Sequence, residues 1–257
     1  MATFHADGRV TGYEVTGTGS PVLAFHGTTQ SRTGWDQVIA AGDTPHTWVK
    51  VEFPGSGESS MPSGPIDLDQ VVDDAVSLMG SLGHDSFAVV GYSLGAVCAL
   101  HAAARHPSRV NSVVSLCGWA VTDARMRRTF SLWRKLIAVS PELFMHYAIV
   151  DGYTAGTIAM LEPMFDGAVA LAASTIAPGS DAHLELDERI DISADLPRII
   201  CPALVIGGIE DRWVDISHSR HIADTVEGSV LLELPAGHLV IGELAGDVAR
   251  AVSAHID

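Results

Sequence analysis

A serine between two glycines is the feature that most constrains how this chain can fold. The stretch GYSLG at residues 91–95 follows a short apolar run and precedes an alanine-rich run that ends before Pro107. The first run is typical of a buried strand and the second of a helix. A sharp turn from strand to helix leaves no room for side chains two positions before or after its tip, and glycine meets that demand. The pattern therefore predicts that Ser93 lies in strained backbone above a sheet.

Short apolar runs alternate with amphipathic segments at both ends of the chain. We predict strands at 9–15, 21–27, 47–55, 86–91, 109–118, 201–211 and 229–238, and helices at 67–82, 93–106 and 242–256. The first two strands are expected to flank a glycine-rich turn. This alternation predicts the α/β fold class, with a mostly parallel central sheet flanked by helices.

The alternation stops between residues 119 and 197. This segment has helix-like stretches, DARMRRTFSLWRKLIAV and PELFMHYAIV, that are separated by proline and glycine breaks. We expect a core formed by residues 1–118 and 198–257, with residues 119–197 as a helical cap inserted between two strands.

Composition limits the partners and the compartment that we expect. The 257 residues are 47% hydrophobic, enough for one core, and the 15 Lys and Arg against 31 Asp and Glu give a net charge of −16. This charge disfavours nucleic acid and membrane surfaces as partners.

The cysteines and the N-terminal segment bear on the compartment. The three cysteines form no Cys-x-x-Cys pair, and the first 15 residues have no basic and apolar leader. No apolar run reaches the roughly 18 residues of a membrane helix. We expect a soluble cytoplasmic protein.

A serine hydroxyl needs a base to become a nucleophile, and the base needs an acid to orient it. His238 and Asp211 each follow a predicted strand, and the order serine, aspartate, histidine is the one that such a sheet requires. Glu210 is a rival for the acid, but the spacing Gly-x-x-Asp favours Asp211. Other histidines, such as His101, His106 and His221, fall on or beside predicted helices, where no strand end would place them.

Two backbone amides are candidates for holding a negatively charged oxygen. The Leu94 amide is at the start of the helix after Ser93, where the helix directs its free N–H groups toward the serine. The Thr28 amide is in the loop after the strand at 21–27. We predict that these two amides form an oxyanion hole.

Four motifs together resemble the α/β-hydrolase superfamily. They are His26-Gly27, the GYSLG stretch, Gly208-x-x-Asp211 and Gly237-His238, and the resemblance covers residues from about 9 to 118 and 201 to 257. The FPGSGESS loop at 53–60 departs from the superfamily, with Phe53-Pro54 where Asp and Arg are common. The resemblance gives His26 a structural role in the oxyanion loop. A narrower likeness is to small esterases and enol-lactonases.

The resemblance implies a serine hydrolase that cleaves a small-molecule carboxylic ester or lactone through an acyl-enzyme on Ser93, with no cofactor and no metal. Acyl thioester hydrolysis and cleavage of the C–C bond of a β-diketone are alternatives, because the fold does not choose among them. An alternative of another class is a non-catalytic ligand-binding receptor with a silent triad. The oligomeric state stays open.

Other groups of residues could contribute to binding. Asp215, His218 and His221 share a helical face that could suggest a metal, but a solvated face is the favoured interpretation. Five basic residues within 125–135 could draw an anionic substrate or an acidic carrier protein, although an exposed helix face is favoured.

Aromatic residues of the inserted segment could line an acyl pocket, although core packing is their more common fate. The candidates are Trp119, Trp133, Phe144 and Tyr147. Only Trp119 directly follows a predicted strand, where ligands bind in open α/β sheets, so it is the one tentative substrate-binding residue.

Overall fold

The computed structural model of the protein describes residues 2–42 and 45–256. Eight strands lie in these ranges: β1 (Ala2–Ala6), β2 (Arg9–Thr16), β3 (Ser20–Phe25), β4 (His46–Val51), β5 (Phe87–Tyr92), β6 (Val110–Leu116), β7 (Ala203–Gly208) and β8 (Val230–Leu234).

The described residues also form eleven α-helices. They are α1 (Asp36–Ala41), α2 (Leu68–Ser81), α3 (Leu94–Arg105), α4 (Ala124–Val139), α5 (Pro141–Gly152), α6 (Ala155–Leu161), α7 (Phe165–Ser174), α8 (Ser180–Asp187), α9 (Ile216–Thr225), α10 (Val240–Glu243) and α11 (Ala245–Ile256).

The strands form one sheet in the order β1-β2-β4-β3-β5-β6-β7-β8. Strands from β4 onward in this order pair in parallel, whereas β2 pairs antiparallel with β1 and β4. The predicted fold class, an α/β fold with a mostly parallel sheet, is confirmed. A parallel sheet brings the carboxyl ends of its strands to one edge, and that edge carries the loops on which the candidate site is built.

The antiparallel edge of the sheet differs from the sequence prediction. The strands predicted on either side of the glycine-rich turn are present as β2 and β3, but β2 pairs with β1 and β4, and β1 was not predicted. Asp7 and Gly8 connect β1 to β2 with φ values of 47° and 80°. Positive φ at both residues is the backbone that a tight hairpin needs, and Asp-Gly supplies it.

Buried side chains cover both faces of the sheet. Alternate residues of β3 point to opposite faces, so Leu23 packs in one apolar cluster with α2 and α3, and Val22 packs in another with α1 and α11. Helix α3 lies against the central strands and is buried along nearly its whole length. This two-sided packing fixes the position of the turn that precedes α3.

The segment between β6 and β7 contains the five helices α4 to α8, which we call the cap helices. In the described residues its one β-bridge joins Val121 to Asp191. Within Ala155–Ser174, an 18-residue window has a mean hydropathy of 1.2 with 6% of the window buried, so by length and composition alone the stretch could cross a membrane. We had expected no such stretch. It includes Glu162, Pro163 and Asp166, and a single stretch of this kind is a weak indication.

Candidate active site

Ser93 lies at the turn between β5 and α3. Its backbone has φ 57° and ψ −121°, a conformation that costs about 1–3 kcal/mol for a residue with a side chain. A Cβ at Gly91 would lie 1.9 Å from the Gly95 carbonyl oxygen, and one at Gly95 would lie 2.3 Å from the Phe25 carbonyl oxygen. The two glycines therefore let the strand, the turn and the helix approach as closely as the sequence pattern predicted.

The structure brings Ser93, His238 and Asp211 together. The Ser93 Oγ lies 3.0 Å from His238 Nε2, and His238 Nδ1 lies 2.6 Å from an oxygen of Asp211. All three residues are buried, with exposed fractions of 8%, 2% and 6%. With the imidazole proton on Nδ1 donated to Asp211, Nε2 is free to accept the proton of the serine hydroxyl.

The second oxygen of Asp211 is held by the backbone of the loop after β7. The amides of Trp213 and Val214 donate to it at 2.8 and 2.9 Å. Because one oxygen is held by two amides, the other is oriented toward His238. The rival Glu210 is exposed, so the loop buries only one of its two adjacent carboxylates.

The loop that carries His238 is held by residues that sequence analysis did not identify. Glu243 accepts a hydrogen bond from the Gly237 amide at 2.6 Å and, through its other oxygen, bonds from Thr154 and Thr157 at the start of α6. Burial opposes ionisation of Glu243, but these hydrogen bonds lower its pKa below the usual value. The Tyr92 hydroxyl donates to the His238 carbonyl at 2.9 Å. Glu243 stands in no motif, and Tyr92 lies inside the GYSLG stretch but at a position whose side chain the motif leaves open. Only the tertiary contacts therefore identify the role of these two side chains.

The Leu94 amide begins α3 directly after Ser93, and the Thr28 amide lies in the loop after β3. His26 shapes this loop: its Nδ1 lies 2.8 Å from the Gly27 carbonyl oxygen and its Nε2 accepts from the Phe53 amide at 3.1 Å. Both ring nitrogens are therefore occupied by backbone groups.

A cavity of about 270 Å³ opens beside Ser93 and His238. Its remaining wall is mostly uncharged and comes from the loop after β3, the end of β5, the cap helices and the residues directly after α7, and the loops after β7 and β8. These residues are Gly27, Thr28, Thr29, Gln30, Ser31, Thr33, Gly34, Tyr92, Trp133, Phe144, Met145, Ala148, Ala172, Thr175, Ile176, Trp213 and Leu239. Among the described residues, none with a Lys, Arg, Asp or Glu side chain lines it.

Trp119 is not part of this wall, contrary to its tentative prediction as a substrate contact. It is fully buried, donates through Nε1 to the Thr122 hydroxyl at 2.9 Å and packs on Phe130. The chain enters the core directly after β6, and the cap helices cover the indole. Trp133 and Phe144, for which position in the sequence gave no argument, do line the cavity.

The basic residues at 125–135 also lie away from the cavity wall. Arg127 donates to the carbonyl oxygens of Glu188 and Thr122, and Arg134 forms an ion pair with Asp181 at 2.7 Å. These contacts tie α4 to α8 and to the segments around it.

Within the described chain, Cys117, Asp211 and His238 are the group of three whose ligand atoms lie close enough to hold a metal, within 4.8 Å of one another. The His and Asp atoms already share a hydrogen bond. Asp215, His218 and His221, for which a solvated face was the favoured interpretation, do not form such a group: Asp215 caps α9 and His221 is exposed.

A second cavity, of about 310 Å³, lies between β2, the loop after β4 and α2. Arg9 and Asp74 form an ion pair of 2.8 Å at its wall. Ser93, Asp211 and His238 are absent from this wall, whereas Ser93 and His238 line the cavity of about 270 Å³.

Comparison with known proteins gives a family and several named relatives. The model of a family described as "Alpha/beta hydrolase family" matches residues 22–251. A Xenorhabdus hominickii protein named pyrrolizixenacetamide deacetylase is 28% identical over 233 residues, which cover 88% of this chain and 87% of the relative. A Klebsiella pneumoniae protein named provisionally as the carbamate hydrolase RutD is 27% identical, with 85% and 84% covered.

Solved structures show the same fold. The enol-lactonase from Burkholderia xenovorans has a TM-score of 0.86 at 21% identity, with 99% of each chain covered. A thermophilic esterase from Thermogutta terrifontis has a TM-score of 0.84 at 24% identity, with 98% of this chain and 95% of the esterase covered.

Proposed function

Because the chain belongs to the alpha/beta hydrolase family, we propose that it is a serine hydrolase that cleaves a carboxylic ester or lactone through an acyl-enzyme on Ser93. One observation carries the proposal: His238 lies between the Ser93 hydroxyl, at 3.0 Å, and the Asp211 carboxylate, at 2.6 Å. This is the spacing that general-base activation of a nucleophile requires.

In the proposed reaction, Ser93 Oγ attacks the carbonyl carbon while its proton moves to His238 Nε2. The resulting oxyanion accepts hydrogen bonds from the Thr28 and Leu94 amides, and Asp211 stabilises the imidazolium. The tetrahedral intermediate collapses as His238 gives its proton to the leaving oxygen. A water molecule then loses a proton to His238 and attacks the acyl-enzyme, which releases the acid and restores Ser93. No step uses a metal or cofactor.

The size and lining of the cavity favour a substrate with an uncharged acyl group of modest size. The cavity holds about 270 Å³, and Trp133, Phe144 and Ile176 give it apolar surface. An anionic substrate drawn by the basic residues at 125–135 is the less favoured alternative, because those residues lie outside the wall. The three free thiols fit a reducing compartment, and cytoplasmic residence stays a prediction.

A second candidate activity is hydrolysis of a carbon–nitrogen acyl bond. It is supported by the names of two relatives, a deacetylase and a carbamate hydrolase, that match most of this chain at 28% and 27% identity. The triad would act in the same way, with His238 protonating a leaving nitrogen instead of oxygen. Thioester and β-diketone cleavage remain alternatives, as does a receptor that binds a ligand without turnover.

A substrate panel tests these proposals. Purified protein is assayed with p-nitrophenyl esters of several chain lengths, lactones, acyl thioesters, β-diketones, N-acetyl amides and carbamates, alongside Ser93→Ala. We expect the esters or lactones to be the best substrates and their turnover to be lost in Ser93→Ala. Best turnover of amides or carbamates would favour the second candidate. Equal turnover by Ser93→Ala would contradict the role of Ser93, and binding without any turnover would favour the receptor.

A further inference from the structure

Asp187, the last residue of α8, has a carboxyl group that the proposed reaction does not use. It is fully buried, with an exposed fraction of 0%. One of its oxygens accepts a hydrogen bond from the Thr28 hydroxyl at 2.7 Å. Its other oxygen has no hydrogen-bond partner among the described residues. A buried carboxyl group without full hydrogen bonding lowers stability, so its position calls for a functional explanation.

The surroundings of Asp187 favour its neutral form. Burial raises the pKa of Asp187 well above its usual value, and the hydrogen bond from Thr28 opposes that rise only in part. The nearby Cys98 thiol, which is buried as well, also has a raised pKa. The hydrogen bond from Thr28 therefore reaches a carboxyl group whose charged form burial disfavours.

Thr28 links this buried acid to the proposed chemistry. Its backbone amide is one of the two proposed oxyanion donors, and its side chain is held by Asp187. A rotation of the Thr28 backbone would break the 2.7 Å hydrogen bond. The next residue, Thr29, has a positive φ of 65°, and its carbonyl oxygen accepts from the Ala177 amide at 3.0 Å. The loop is therefore strained and is held from the cap side at two consecutive residues.

Asp187 is itself fixed by hydrogen bonds. Its carbonyl oxygen accepts from the Thr122 hydroxyl at 2.5 Å, and that hydroxyl accepts from Trp119 Nε1 at 2.9 Å. All three residues are buried. The contacts form a continuous series from the end of β6, through α8, to the loop after β3.

We propose that Asp187 is a positioning residue that acts through the Thr28 hydroxyl to keep the Thr28 amide aimed at the oxyanion. The cap helices would then supply part of the catalytic geometry in addition to the wall of the cavity. This inference rests on the proposed function, because it matters only if Ser93 forms an oxyanion intermediate. A misplaced oxyanion donor raises the barrier of the chemical step and leaves ground-state binding nearly unchanged.

The test compares Asp187→Ala, Asp187→Asn, Thr28→Val and the Asp187→Ala/Thr28→Val double variant on an activated aryl ester. We expect kcat to fall about 10- to 100-fold in each of Asp187→Ala and Thr28→Val, with KM within about threefold of wild type. Asp187→Asn should retain kcat within about threefold, because an amide oxygen also accepts from Thr28. The double variant should be no slower than the slower single variant.

Asp181→Asn is the matched control, since it changes an exposed carboxylate at the start of the same helix and should leave kcat unchanged. Thermal melting reports which variants are folded. If Asp187→Ala does not fold, the kcat values of Thr28→Val and Asp187→Asn still test the role of Asp187. Any one of three results would overturn the inference. The first is a wild-type kcat in folded Thr28→Val, and the second is a loss of kcat in Asp187→Asn as large as that in Asp187→Ala. The third is a kcat loss in the double variant that equals the product of the two single losses.

The rate of reaction with a fluorophosphonate separates this inference from the proposed function. Failure of the wild type to react would contradict the proposed function itself. A wild type that reacts, together with a folded Asp187→Ala that reacts equally fast, would leave the proposed function standing and overturn the role of Asp187.

Discussion

Two adjacent carboxylates, Glu210 and Asp211, differ in the environment that the loop after β7 gives them. Asp211 is buried and accepts from two backbone amides and His238, whereas Glu210 is exposed. Sequence spacing favoured Asp211, and the contacts give the physical reason: only a carboxylate held on one side can orient an imidazole with the other. Single residues such as Asp211 could be predicted from the sequence, because the local backbone at the end of a strand determines where they lie.

The two carboxylates make a matched pair of variants. Asp211→Asn should lower kcat by about three to four orders of magnitude, because an amide cannot stabilise the imidazolium and favours the wrong tautomer of His238. Glu210→Gln should leave kcat within about twofold of wild type. Steady-state kinetics on an aryl ester measures both. If Glu210→Gln had the larger effect, the acid would be misassigned.

At the scale of elements, the helices after β6 supply part of the wall of the cavity beside Ser93, and they were the hardest part to predict. Their apolar residues do not reveal which face meets the cavity, so Trp119 was preferred and Trp133 and Phe144 were not. Asp187 was missed for the same reason, because its contact with Thr28 spans 159 residues of sequence. Local patterns predict that a segment is helical, but long-range packing decides which side chains meet.

Helix α7 offers a test of the cavity wall. Ala172 lines the cavity and its neighbour Leu171 is 70% exposed. Ala172→Leu should fill part of the cavity and lower kcat/KM for longer acyl chains by about tenfold more than for acetyl, since each excluded methylene costs about 0.8 kcal/mol of burial. Leu171→Ala, the control, should leave the chain-length profile unchanged. Identical profiles for both variants would place the acyl group elsewhere.

The packing of α8 on the loop after β4 should make the protein sensitive to acid. His183 is fully buried, its Nε2 lies 2.9 Å from the Pro54 carbonyl oxygen, and burial, with a contribution from His26, lowers the pKa of His183 to about 4. The unfolded chain, with a histidine pKa near 6.5, binds a proton that the folded protein excludes. The free energy of unfolding should therefore fall as the pH drops from about 6.5 to about 4.

The variant His183→Gln tests this effect, because its amide can still donate to Pro54. The loss of unfolding free energy between pH 7 and pH 4.5 should be smaller in His183→Gln than in wild type by about 2 kcal/mol. Urea unfolding at each pH measures it. Equal losses in the two proteins would show that another group controls the acid sensitivity.

For the whole molecule, sequence was sufficient for the fold class and for the strands whose ends carry Ser93, Asp211 and His238. Alternating periodicity and the glycines at residues 91 and 95 constrain backbone directly. The sequence was insufficient for the antiparallel edge of the sheet, where β1 depends on pairing with β2. It was also insufficient for the residues that hold the loops of the site, such as Glu243. Those features depend on contacts between distant segments and leave no local signature.

The net charge of −16 predicts how charged substrates behave. For an anionic ester, kcat/KM should rise with added salt because screening reduces the overall repulsion, and for a neutral ester it should stay flat. The Arg127→Gln/Arg128→Gln variant should show the same salt dependence as wild type. A kcat/KM that falls with salt in wild type, and no longer does so in the variant, would mean that the basic residues steer the substrate.

The central claim is that Ser93 is a nucleophile activated by His238 and Asp211. Intact-mass measurement after reaction with a serine-directed fluorophosphonate tests it most directly, with peptide mapping to locate the adduct. We predict a single adduct on Ser93 in wild type, no adduct in Ser93→Ala, and greatly slowed labelling in folded His238→Ala. An unlabelled wild type, or equal labelling of Ser93→Ala, would contradict the account.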